Sequence, residues 1–160
     1  MNLRILLAVA ITAGLLAGGL LLHGLTAGDP YSRLSVWADD AGHLHLDYRA
    51  CGDELVTDVA LLEGDPTAGH PAVLWRITSV GIPRTTFTIG QTPPGFAGQT
   101  PLGRLPRSTG EIAVELTTTT STPGALVFTR DQLTPGVVLW DRGVEAATTY
   151  AARSNKSLGC

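Results

Sequence analysis

His43, His45 and Asp47 sit at alternate positions and form the densest set of metal-capable side chains in the 160-residue sequence. In an extended strand, residues two apart share a face, so both imidazoles and the carboxylate point one way. Leu44, Leu46 and Tyr48 then take the other face. Two imidazoles and a carboxylate suit zinc once a fourth ligand or a water completes the tetrahedron, and such an ion activates water for hydrolysis. His70, in a stretch of loop composition, is the candidate fourth ligand. The competing reading is a solvated strand face, because a metal site needs ligands that converge from other segments.

Two other groups of residues have types suited to chemistry. Asp39-Asp40 and Asp53-Glu54, with Asp58, supply the oxygens a calcium ion takes, although no EF-hand spacing is present and acidic residues are common in turns. Cys51 and Cys160 are the two cysteines of the chain. In an exported domain such a pair is expected as a disulfide. The loop it closes is nearly the whole domain, and chain entropy gives an upper figure of about 4–5 kcal/mol of stabilisation. The rival role for Cys51, a nucleophile paired with a histidine, lacks any surrounding signature. The sequence contains no G-x-S-x-G, S-x-x-K, H-E-x-x-H or phosphate-cradling glycine loop. Trp37, on the strand face opposite Leu34 and Val36, and Phe96, in a Pro/Gly-rich loop, are candidate aromatic contacts for a partner.

These residues belong to short apolar runs separated by turn signals. Leu34 and Val36 alternate with polar neighbours, and Asp39 to Gly42 reads as a hairpin turn into the His43–Tyr48 run. Further runs cover Val56 to Leu62, Val73/Trp75/Ile77, Phe87/Ile89, Ile112/Val114/Leu116, Ala125 to Thr129 and Val137 to Trp140. Residues 91–110 are too rich in Pro and Gly for a central strand. Val144, Ala147 and Ala151 have helical spacing, which predicts a short helix over Val144 to Arg153, with Asp141 as a cap. Seven or eight strands without βαβ alternation predict an all-β, antiparallel sandwich of immunoglobulin-like or fibronectin-like architecture, with a small barrel as the alternative.

The segment ahead of this domain sets the expected location. After residues 1–4, which carry Arg4, residues 5–27 are apolar apart from His23, Thr12 and Thr26. That length suits a membrane-spanning helix, and the flanking charges predict a cytoplasmic N-terminus. Ala10, Gly14 and Gly18 recur every four residues, a spacing that lets another helix approach closely. Cleavage after Ala27 would instead release a secreted domain. Residues 28–33 form a linker spanning at most ~18 Å, so an anchored domain over residues 34–160 would lie beside the bilayer.

Charge narrows the partners. Beyond residue 28 there are ten basic and fourteen acidic residues, a net charge of −4, with Lys156 the sole lysine. No basic run is present, which argues against nucleic acid and against anionic lipid headgroups as main partners. No cofactor is implied. The expectation is a single-pass cell-envelope protein that meets the lipid bilayer through its N-terminal helix. Its extracytoplasmic sandwich then binds or assembles with an envelope protein. The alternative is a secreted metal-dependent hydrolase built on His43, His45, Asp47 and His70.

Overall fold

The computed structural model describes residues 33–160, apart from 108, 122, 123 and 159. The expected anchor over residues 5–27, with Ala10, Gly14 and Gly18, lies outside the described residues. Among the described residues no helix is long and apolar enough to cross a membrane.

Among the described residues ten strands follow in order: β1 (Leu34–Ala38), β2 (Leu44–Tyr48), β3 (Val56–Glu63), β4 (Ala72–Ile82), β5 (Thr86–Thr88), β6 (Ala97–Thr100), β7 (Glu111–Thr118), β8 (Ala125–Thr129), β9 (Val137–Trp140) and β10 (Gly143–Ala146). One helix, α1 (Ala147–Ala151), follows β10. The strands form two five-stranded antiparallel sheets, in the orders β10-β9-β1-β2-β5 and β6-β4-β3-β7-β8.

Alternation decides which side chains meet between the sheets. Leu34, Val36, Leu44, Leu46 and Tyr48 from the first sheet join Val59, Leu61, Trp75, Ile77, Ile112, Val114 and Leu116 from the second in one buried cluster. Each large apolar side chain withdrawn from water contributes roughly 1.5–3 kcal/mol before ordering costs. The shared core gives the protein its sandwich-like build. A disulfide joins Cys51, just after β2, to Cys160, with Cα atoms 5.5 Å apart.

Three details depart from the sequence reading. The helix predicted over Val144 to Arg153 begins later, at Ala147, and Asp141 does not cap it; the N-cap is Ala146, without a side-chain acceptor. Gly143, at φ 103°, closes a tight turn, and Val144 pairs with Leu139, so backbone ladder bonds take residues whose spacing also fits a helix. Within 91–110, where the sequence reading placed no strand, Ala97–Thr100 forms β6, at a sheet edge as the exclusion of a central strand requires. Finally, Val73 does not share the inward face of Trp75. A register shift between Leu61 and Leu62 leaves Leu74 beside Trp75 in the core and Val73 41% exposed. One extra residue in a β-bulge reverses every side chain beyond it.

Candidate functional site

The chemistry-bearing residues gather on the outer face of the first sheet, away from the shared core. Register places Trp37 opposite His45 and Ser35 opposite Asp47. The Trp37 and His45 rings stack with centroids 4.2 Å apart, and the indole Nε1 donates to Asp47 Oδ2 at 2.9 Å. Asp47, expected beside the histidines as a ligand, is therefore held by Trp37.

Asp39, in the β1–β2 turn, takes that place. Its Oδ1 accepts from the amides of Ala41 and His43, at 3.0 and 2.8 Å, which sets the turn closed by Gly42. Its Oδ2 meets His43 Nδ1 at 2.9 Å and His45 Nε2 at 3.2 Å. The hydrogen bonds from His43 and then His45 hold the Asp39 carboxyl well below the usual carboxylate range. An ionised carboxylate only accepts, so His45 donates to Asp39 through Nε2–H, while its Nδ1 lies 3.3 Å from Thr88 Oγ1. Thr88, His45 and Asp39 thus form a hydroxyl–imidazole–carboxylate chain across two strands and a turn. Its long hydrogen bonds and the stacked ring suit a positioned aromatic pair better than proton transfer.

His70 is in the β3–β4 loop and lines a different cavity, with Glu63, Asp65 and Glu111. Among the described residues, no group of three or more His, Cys, Asp or Glu side chains is placed to hold a metal ion. Of the other acidic candidates, Asp58 pairs with Arg76 at 2.8 Å, and Glu54 lies in a buried network.

Next to the Trp37–His45 stack, the end of the chain folds back over the sheet. Val138, Trp140, Tyr150 and Leu158 form a second apolar cluster there, with Trp37 and Ala147 packed against it. Arg49, just past β2, fixes this layer. Its guanidinium donates to the carbonyls of Arg153 at 2.6 Å and Tyr150 at 2.9 Å, capping the C-terminal end of α1. Arg153 in turn makes two 2.9 Å hydrogen bonds to Glu145 and lies over the Trp140 ring.

A groove of about 440 Å³ remains between α1 and the β5 edge. Trp37, Val138, Ala147 and Tyr150 supply its apolar lining, and Asp47, Arg49, Thr85 and Thr86 its polar rim. Burial pushes the Tyr150 phenol pKa up, so it remains protonated.

The loop that leads to Arg49 and Cys51 is held from below by Glu54. Its carboxylate accepts from Tyr48 Oη at 2.7 Å, the Cys51 amide at 2.9 Å, Thr120 at 3.0 Å and Ser121 at 3.1 Å, and it pairs with Arg33. Burial alone would raise its pKa; the Cys51 amide, Tyr48, Arg33 and Thr120 outweigh it and hold the carboxyl at about 2. Burial and that same carboxylate push the Tyr48 phenol up.

Phe96 meets Phe87 edge-on, centroids 5.4 Å apart, and packs against the main core. Arg49 and Tyr150 were not singled out by their spacing, and Asp39 and Glu54 only as oxygens suited to calcium. Arg49 and Tyr150 are a hundred residues apart, and only the proximity of Cys51 to Arg49 and of Cys160 to Tyr150 connects them in the sequence. Comparison with protein-family models, curated proteins and solved structures finds no match to this chain.

Proposed function

We propose that this is a membrane-anchored cell-envelope protein whose extracytoplasmic sandwich is a binding or assembly module working through the groove beside Trp37. The observation that carries this reading is the groove itself: an aromatic lining, formed by Trp37 and Tyr150, with one carboxylate and one guanidinium at its rim. Ligand sites commonly combine an apolar lining with a few fixed polar groups.

Its position supports the same reading. The Arg49 amide donates to the Arg33 carbonyl at 2.9 Å, so the groove opens within a few residues of where the chain leaves the expected anchor. A partner bound there would sit close to the bilayer. We read the domain as an immunoglobulin-like or fibronectin-like sandwich, a reading that its two antiparallel sheets support.

Site-specific photocrosslinking on intact cells tests the proposal. A crosslinker at Thr86 or Ala151, on the groove rim, should capture one defined envelope partner, and Trp37→Ala should abolish that capture. A crosslinker at Val80, which is 97% exposed, is the control. Recovery of the same neighbours from rim and control positions would overturn the assignment.

A further inference from the structure

The arginines of the domain divide into two groups. Arg33 pairs with Glu54, Arg49 caps α1, Arg76 pairs with Asp58, Arg84 donates to the Thr86 carbonyl, Arg142 lies over Trp140 and Arg153 is held by Glu145. Arg104, Arg107 and Arg130 make no ion pair or side-chain hydrogen bond among the described residues. These three line one cavity of about 800 Å³, with Glu63 the only carboxylate in its wall among the described residues.

The cavity wall is built on fixed turns. The Gly103 amide donates to Leu74 O and the Gly110 amide to Arg107 O, each at 2.8 Å, while the Leu105 side chain packs against the main core. Arg104 and Arg107 therefore flank an anchored residue. Arg130 opens a 3-10 turn over Arg130–Gln132, where Gln132 Oε1 accepts from the Thr129 amide at 2.8 Å. Three guanidinium groups against the single Glu63 carboxylate leave the recess net positive, which favours a bound anion. Guanidinium forks match the oxygens of a phosphate group, two hydrogen bonds at a time.

We infer that this cavity is a phosphate-binding site, built for a multiply charged phosphate group and separate from the groove beside Trp37. β3 runs from Val56, next to the Glu54 network, to Glu63 in the cavity wall. Eight residues at ~3.3 Å each put the site about 25 Å from where the chain enters the domain. A domain anchored at that entrance presents the site away from its own bilayer, which favours free or polymer-borne phosphate over a lipid headgroup.

Titration of the full-length chain in zwitterionic detergent with inorganic pyrophosphate, followed by ¹H–¹⁵N spectra, tests the site. Saturable shifts are expected at the amides of residues 102–107 and 129–132. Affinity should fall at least tenfold in the triple variant Arg104→Gln/Arg107→Gln/Arg130→Gln and stay within twofold in Arg84→Gln. Because all three positions are on the surface, each single variant should retain the wild-type spectrum elsewhere, and each should weaken binding in part. Shifts at the same amides on adding phosphatidylglycerol to the detergent micelles, lost in the triple variant, would assign the phosphate to lipid. No such shifts alongside saturable pyrophosphate binding would assign it to a non-lipid source. Absence of saturable binding in both arms, or equal loss in Arg84→Gln, overturns the inference.

Discussion

The guanidinium of Arg49 donates to the carbonyl of Tyr150 at 2.9 Å and lies 4.9 Å above the ring of the same residue. One side chain therefore closes the last turn of α1 and covers its main buried aromatic. Helix α1 has five residues, far too few to persist alone in water. Its existence depends on this clamp, on the cluster beneath it and on the disulfide beyond it.

Arg49→Met keeps much of the apolar contact and removes the hydrogen bonds. A loss of about 1.5–3 kcal/mol is expected, the range for hydrogen bonds to a charged group. Urea unfolding supplies the number, and hydrogen exchange should show the amides of α1 opening before those of β1 and β2. A change confined to the global midpoint, with α1 still protected, would contradict the clamp.

Glu54→Gln should cost more, about 3–5 kcal/mol, because Arg33 is left buried beside a neutral amide. The native Glu54 carboxyl titrates at about 2, against about 4.3 in an unfolded chain. Its contribution is therefore complete above pH ~4.3 and fades as the pH falls toward 2. Urea midpoints of the wild type should drop across that window, and the Glu54→Gln protein should show a shallower drop. Equal slopes in the two proteins would remove Glu54 as the source.

Much of this build was legible in the sequence, and the reason is periodicity. Leu44, Leu46 and Tyr48 are buried while His45 and Asp47 face outward, as strict alternation requires. The cysteine pairing was legible because a chain with two cysteines leaves each a single intramolecular partner. Val73 was not legible, since a bulge is a local insertion that leaves the apolar pattern unchanged. Nor was the true partner of His45. Asp47 lies nearer in register, but the turn brings Asp39 around to the imidazole and Trp37 claims Asp47. The clamp at Arg49 depends on contacts across a hundred residues, for which no local pattern exists.

Trp37→Phe should keep the stacking surface on His45 but lose the indole N–H bond to Asp47, at a cost of about 1 kcal/mol. Trp37→Ala should also empty the groove wall and cost about 2 kcal/mol or more, with exposure of Tyr150. Chemical denaturation of both variants ranks the two effects. Equal destabilisation would assign the whole role of Trp37 to its hydrogen bond.

Cys51→Ser/Cys160→Ser removes a crosslink between residues 109 apart. The loss should approach but not exceed about 4–5 kcal/mol, since residual unfolded structure reduces the entropic figure. Proteolysis should then attack the tail beyond Arg153 first, with the two sheets intact. Unchanged resistance of the tail would show that Arg49 and the Trp140–Tyr150 cluster suffice to hold it.

The same crosslink governs how the domain answers tension. A pull applied between residue 33 and residue 160 reaches Cys51 and passes directly through sulfur to Cys160. Only the chain from residue 33 to residue 51 can be drawn out, roughly 65 Å at full extension. β1 and β2 would peel away while every strand from β3 to β10 stays inside a covalently closed, slack ring. An oxidised domain under load would thus lengthen by a short fixed step, and a reduced one could unravel completely.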